Sequence, residues 1–256
     1  MSIPTQQQIS AEIAEIAARP GPGDAPQPRV DYPPYRSSIL RHPTKEPRHA
    51  DPETIELWAP CFGHSDVHPL EADLTAGAHA GTNTAVFGEP IGERITVTGR
   101  VVDGEGRAVA GQLVEVWQAN AAGRYIHKNE RHPAPLDPNF TGVGRCLTGP
   151  DGSYSFRTIK PGPYPWGNHR NAWRPAHIHF SVFGRAFTQR LVTQMYFPAD
   201  PLFALDPIYQ SITDPKARDA LVATYDHDLT VPEISLGYRW DIVLSGPART
   251  WTEVAA

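Results

Sequence analysis

The sequence predicts an all-β fold: a β-sandwich core with long loops, an extended N-terminal arm and a few short helices. Three observations carry this expectation. Short runs of β-branched and aromatic residues alternate with polar ones, 27 Pro and 21 Gly punctuate those runs without forming a repeat, and helical signals are confined to two short stretches. With 256 residues and 40% hydrophobic content, the chain is long enough to bury a substantial core.

Taken in order, Ile9, Ile13 and Ile16 stand at helical spacing and Pro20 supplies a stop, which predicts one amphipathic helix over 6–19. Residues 20–34, PGPGDAPQPRVDYPP, cannot hold regular structure because proline fixes φ and removes the amide donor; they read as an extended arm. The stretch 35–90 shows little periodicity, so 1–90 is assigned to the arm and 91–256 to the sandwich. Ile95, Val97 and Val101 alternate with Thr96, Thr98 and Arg100, and Asp103-Gly104-Glu105-Gly106 predicts a hairpin turn into a strand over 112–118. A second hairpin is expected where 145–148 and 153–159 flank Gly149-Pro150-Asp151-Gly152. Further strands are predicted over 177–183, 191–197 and 238–244, the last with Tyr238, Trp240, Ile242 and Leu244 on one face. Asp214-Pro215 reads as an N-cap and first helical residue, opening a short helix to about 225.

Several function classes are excluded by composition. The formal charge is −5 and Lys and Arg occur singly, so no basic stripe is offered to nucleic acid or to an anionic membrane. No run approaches the roughly 20 apolar residues a spanning helix needs, and no secretory leader pattern opens the chain, which predicts a cytoplasmic protein. Cys61 and Cys146 form neither a disulfide framework nor a set of soft metal ligands and read as buried thiols.

The chemistry concentrates in Trp173-Arg174-Pro175-Ala176-His177-Ile178-His179-Phe180-Ser181-Val182. Strand alternation puts His177 and His179 on one face and Ile178, Phe180 and Val182 on the other. Two imidazoles on one face are either an ordinary polar face or half of a metal site. No Glu follows at the distance of a cupin-type site, and the strand has no Asp or Glu to complete a two-histidine, one-carboxylate ferrous triad, so oxygen donors for a metal must come from elsewhere. Tyr125 and Tyr164 lie in loops whose Gly and Pro can fix a ring; each, taken alone, also reads as a packed aromatic. His127, His132 and His169 read as loop histidines.

The segments Val116-Trp117-Gln118-Ala119-Asn120, Gly123-Arg124-Tyr125, Gly142-Val143-Gly144-Arg145-Cys146, Gly162-Pro163-Tyr164-Pro165-Trp166 and Arg174-Pro175-Ala176-His177-Ile178-His179 resemble, in order, flanks and intervals, the intradiol ring-cleavage dioxygenase family. The resemblance covers about 35–244. The proline-rich arm and Tyr35-Arg36-Ser37-Ser38-Ile39 are similar to the β subunit of its two-subunit branch, whereas the catechol and hydroxyquinol branches begin with a helical dimerisation region. The resemblance implies a non-heme Fe(III) held by Tyr125 and His177 as equatorial and Tyr164 and His179 as axial ligands, with solvent hydroxide in the fifth position. Phenolate suits this hard cation, although binding must ionise a side chain whose free pKa is about 10. It further implies that Tyr164 leaves the metal to act as a base and that Arg174 stabilises negative charge on the ring during oxygen attack. Tyr35 would lie near the substrate carboxylate, Trp117 and Trp166 would wall the pocket, and Gln194 and Ile208 would border substrate and oxygen. The implied reaction is cleavage of protocatechuate with O2 to 3-carboxy-cis,cis-muconate, in aromatic catabolism through the β-ketoadipate pathway. The implied partner is a homologous α subunit, without metal ligands, forming αβ protomers in a higher oligomer. Two other readings stay open: a homo-oligomeric intradiol enzyme for catechol or hydroxyquinol, and a transthyretin-like binding module whose His and Tyr residues are structural.

Overall fold

The computed structural model describes residues 67–76, 88–128, 130–167, 170–183 and 190–252, together with Ala11 and Arg41. Ala11 is helical; the rest of the expected 6–19 helix, the proline-rich arm, Tyr35, Cys61 and His169 lie outside the described residues. The chain divides into two compact units, residues 1–58 with 166–172, and residues 59–165 with 173–256.

The second unit holds two sheets. One is centred on β1 (Arg94–Val102), which pairs antiparallel with β4 (Ser153–Ile159) and parallel with both β10 (Leu236–Arg239) and β11 (Ile242–Val243), while β9 (Thr224–Tyr225) extends the sheet from β10. The other runs β3 (Val143–Leu147), β2 (Leu113–Trp117), β7 (His177–Phe183), β8 (Arg190–Tyr196), every pair antiparallel. β5 (Tyr164–Trp166) and β6 (Ala172–Arg174) make a separate two-stranded ribbon. The two large sheets face each other as a sandwich. Ile95 and Val97 from the first meet Val114, Val116 and Ile178 from the second in one core, and Phe180 lies edge-on to Phe156 at 5.7 Å and to Trp240 at 4.8 Å between centroids.

Both expected hairpins are corrected. The turns exist: the Gly106 amide donates to Asp103 O and the Gly149 amide to Ser153 O, with Gly152 at φ +77. But β1 and β2 belong to different sheets, as do β3 and β4, so each turn hands the chain across the sandwich. Turn residues specify a reversal of direction; the partner of the emerging strand is chosen by which face must be buried.

The strand expected over 238–244 is interrupted at Trp240-Asp241. There the Trp240 carbonyl accepts the Tyr154 hydroxyl at 2.6 Å, and Gly99 makes room, since a Cβ on it would stand 1.7 Å from that oxygen. The expected alternation survives the break, with Tyr238, Trp240 and Ile242 buried and Leu244 packed against the core. The helix opened by Asp214, α2 (Pro215–Asp219), is shorter than expected, and its predecessor α1 (Pro207–Ser211) was not predicted. The second unit also reaches back before residue 91. A 3-10 turn over Pro69–Ala72 brings Leu74 into the core at 4% exposure, fastened by the Leu74 amide on Arg157 O and by Glu71 on Arg145 at 2.5 Å.

Candidate metal centre

Alternation along β7 puts His177 and His179 on the face turned away from Ile178 and Phe180. Each is then fixed by a cross-strand row. His179 lies between Trp117 on β2 and Gln194 on β8, with the Trp117 ring stacked on its imidazole at 4.8 Å and 1° between planes; His177 is opposite Tyr196, their rings 5.9 Å apart. A histidine positioned this way has little rotamer freedom left.

The tyrosines are positioned differently, by two loops that touch through backbone. The Asn120 carbonyl accepts the amides of both Gly123 and Gly162 at 2.9 Å, tying the loop of Tyr125 to the loop of Tyr164. Gly123, at φ +78, lies where a Cβ would meet Pro163 O at 2.1 Å, and a Cβ on Gly162 would meet Ala121 O at 2.3 Å. Only glycine permits this approach. The Asn120 side chain adds a cap, its Oδ1 accepting the amides of Ala122 and Arg124 at 3.0 Å.

Loops and strand thereby converge. Tyr125 meets Tyr164 edge-on at 5.5 Å and His179 at 6.4 Å; Tyr164 is 5.5 Å from His177, and the two imidazoles are 4.9 Å apart. His177 Nδ1 lies 2.7 Å from the Pro175 carbonyl, which can only accept, so the proton is on Nδ1 and the Nε2 lone pair faces Tyr164 Oη at 3.3 Å. Burial, reinforced by the charge of Arg174, holds the His177 pKa well below its usual value and pushes that of His179 down to about 3. Both rings are neutral, the form that binds metal.

Arg174 is 2% exposed, a buried cation and not a surface one. Its Nε lies 3.1 Å from Asp206 Oδ1, and its Nη2 donates to Gln194 Oε1 and to Tyr196 Oη. Burial opposes its charge, but Tyr164, Tyr196, Asp206 and Tyr125 together outweigh burial and fix the guanidinium as a cation. Ile208, partly buried on α1, donates its amide to Asp206. Trp166 ends β5 within the other compact unit, and Tyr35 lies outside the described residues.

Three residues here were missed by the sequence reading. Tyr196 follows Gln194 by two in a predicted strand, so alternation alone placed it beside the histidines. Asp206-Pro207 repeats the capping signature recognised at Asp214-Pro215. Asn120 gave no signal, because its role is to join loops distant in sequence.

The donor set suits ferric iron. Two phenols supply hard oxygen and two neutral imidazoles supply nitrogen, while among the described residues no group of three or more His, Cys, Asp or Glu is placed to hold a metal. Cys146 is buried, with its thiol pushed up to about 12, and is no ligand.

A family model described as Dioxygenase matches residues 68–246, and this chain belongs to that family, the intradiol ring-cleavage dioxygenases. Members of the family generally depend on non-heme iron. A second model, Protocatechuate 3,4-dioxygenase beta subunit N terminal, matches residues 19–53. The chain is 55% identical over 226 residues to the protocatechuate 3,4-dioxygenase beta chain of Burkholderia cepacia, covering 88% of this chain and 93% of that one. It is 32% identical over 161 residues to the protocatechuate 3,4-dioxygenase alpha chain of Pseudomonas putida, covering 62% of this chain and 75% of that one. Among solved structures, 3-chlorocatechol 1,2-dioxygenase from Rhodococcus opacus 1CP is 27% identical over 60% of each chain, with a TM-score of 0.48. Among the described residues, no helix is long and apolar enough to cross a membrane.

Proposed function

We propose that this chain is the iron-bearing subunit of a protocatechuate 3,4-dioxygenase, cleaving 3,4-dihydroxybenzoate with O2 between its hydroxyl-bearing carbons to 3-carboxy-cis,cis-muconate. The observation that carries the reading is the convergence of two phenols and two neutral imidazoles beside a buried arginine, in a chain 55% identical to a beta chain of that enzyme. Its partner is a homologous α subunit, and its compartment the cytoplasm.

Tyr125, Tyr164, His177 and His179 would hold the iron. Bound there, ferric iron would supply Lewis acidity toward the two diol oxygens and redox chemistry toward dioxygen. The other tasks belong to the protein. Tyr164 Oη takes a proton from the arriving diol, since a phenolate is the stronger base of the pair once the diol is poised to ionise. Trp117 keeps the His179 ring in plane by stacking. Arg174 presents a fixed positive charge to the ring as negative charge develops on it, in a buried setting where a fixed charge acts more strongly than in water. Gln194 and Ile208 complete the substrate contacts in this reading.

The test is co-expression with an α-type partner, followed by oxygen-uptake assays on protocatechuate, catechol and hydroxyquinol. One O2 consumed per protocatechuate, with 3-carboxy-cis,cis-muconate as product, is expected. Equal turnover of catechol by the chain alone would replace this reading with a homo-oligomeric enzyme, and a folded, iron-free, colourless protein would sink it.

A further inference from the structure

Asp206 has no place in the chemistry above, yet it is buried to 0% exposure and its carboxylate makes three contacts. Oδ1 pairs with Arg174 Nε at 3.1 Å and accepts the Ile208 amide at 2.9 Å, and Oδ2 accepts the Tyr196 hydroxyl at 3.2 Å. Helix capping alone does not explain the residue. α1 is a single short turn of Pro207–Ser211, and a neutral Asn or Ser caps as well as Asp without burying a charge. The other two Asp-Pro caps make the contrast: Asp214, opening α2, is exposed and Asp200, capping a 3-10 turn over Pro201–Leu205, is only partly buried, whereas Asp206 is fully enclosed. A buried carboxylate belongs here because a buried guanidinium does.

The geometry of that pair is restrictive. The guanidinium is held from two sides, by the Asp206 carboxylate as an ion partner 3.1 Å from Nε and by two hydrogen bonds from Nη2 to Gln194 and Tyr196, and together these fix its position. The same carboxylate anchors the first turn of α1, which carries Ile208. We infer that Asp206 is the positioning residue of the substrate site, locking the Arg174 cation and the backbone bearing Ile208 into one unit that sets where positive charge meets the bound ring. The inference rests on the reading that Arg174 acts on the substrate. Misplacing such a charge by about 1 Å costs on the order of 10²-fold in rate, without changing which residues bind the metal.

The experiment is a double-mutant cycle in the co-expressed complex, comparing Asp206→Asn, Arg174→Met and the double variant. Iron content, kcat and KM for protocatechuate, and the thermal midpoint are measured. Asp206→Asn should keep parental iron and a KM within about threefold while kcat falls by about 10²-fold. Arg174→Met should fall at least as far, and the double variant no further than Arg174→Met, because the carboxylate acts only through the guanidinium. Asp206→Asn should also lower the thermal midpoint, by leaving a buried cation uncompensated, and the double variant should recover part of that loss. Additive losses in kcat, or parental kcat in Asp206→Asn, overturn the inference. Asp206→Glu, which keeps the charge and displaces it by a methylene, serves where Asp206→Asn does not fold: reduced kcat with full iron supports the inference and parental kcat overturns it. Failure of both to fold beside a normally folded Arg174→Met makes Asp206 a folding residue and overturns the inference, leaving the proposed function standing. Parental kcat in Arg174→Met removes the role of Arg174 itself, and the inference with it.

Discussion

The histidines and the tyrosines of the centre are held by opposite means. His177 and His179 stand on β7, inside a sheet whose register places Trp117, Gln194 and Tyr196 beside them, so the ladder positions them and side chains finish the work. Tyr125 stands on a loop and Tyr164 where a loop enters the short strand β5, both positioned by backbone meeting backbone at Gly123, Gly162 and Asn120. A strand tolerates loss of a side chain because its hydrogen bonds do not depend on it. A glycine contact tolerates nothing larger than hydrogen. The half of the centre with less regular structure is thus the half more sensitive to small changes remote from the donors.

This contrast orders the expected damage to iron binding. The largest effect belongs to Gly123→Ala, which adds a methyl group at φ +78 and 2.1 Å from Pro163 O. Left-handed geometry costs an L-residue about 1–2 kcal/mol before the clash is counted, and the clash is with backbone, which cannot rotate aside. Loss of iron together with a lowered thermal midpoint is expected; parental iron content in this variant would mean that the two loops are not coupled as described. Next come His177→Ala and His179→Ala. Each should bind iron at least 10–100-fold more weakly while keeping the β-sheet circular dichroism of the parent, because the scaffold folds without them. Metal analysis beside the spectrum checks both, and full occupancy in both variants would take the histidines out of the centre.

Tyr164→Phe should matter less for iron and more for substrate. Three donors remain, so the protein is expected to load, yet anaerobic stopped-flow mixing with protocatechuate should show complex formation slowed by about 10²-fold or more, the scale of a lost general base. Tyr125→Phe should instead change the spectrum of the substrate complex. A Tyr164→Phe defect confined to the oxygen step would refute the proton-accepting role.

The smallest effect lies outside both regions, at the Glu71 fastening. Its carboxyl is held below the ordinary 4.5: burial acts upward, but the Arg145 hydrogen bond, the His68 amide and the Arg145 charge outweigh it. A lowered folded-state pKa means a contribution fully present above the unfolded value and lost as pH falls through the folded one. Glu71→Gln should therefore cost about 1 kcal/mol at neutral pH, with iron unaffected, and the thermal midpoints of parent and variant should converge in acid below about pH 4. A gap that stays constant in acid well below the ordinary 4.5 would assign the loss to packing rather than charge.

Much of this was legible from sequence because it depends on local periodicity. The β-rich class, β7 to the residue, the shared face of His177 and His179, and the buried set Tyr238, Trp240 and Ile242 all follow from alternation, which a strand imposes wherever its partners lie. The start of α2 follows from Asp214-Pro215 for a similar reason: a cap is a contact between residues two or three apart. The four proposed donors were legible only as a set matched in order and interval to a family, since neither tyrosine declares itself alone.

What tertiary structure decided is everything that joins distant segments. Asp103–Gly106 and Gly149–Gly152 dictate turns, but whether a turn closes a hairpin or crosses a sandwich depends on which faces must leave water, and that is a property of all the strands together. The split at Trp240, the inclusion of Leu74 in the core, and the meeting of the Tyr125 and Tyr164 loops through two glycines have the same origin. So does the pairing of Arg174 with Asp206. A buried cation requires a counter-charge, but the sequence leaves open which of many carboxylates will be carried to it, because that choice is made by packing in space and not by spacing along the chain.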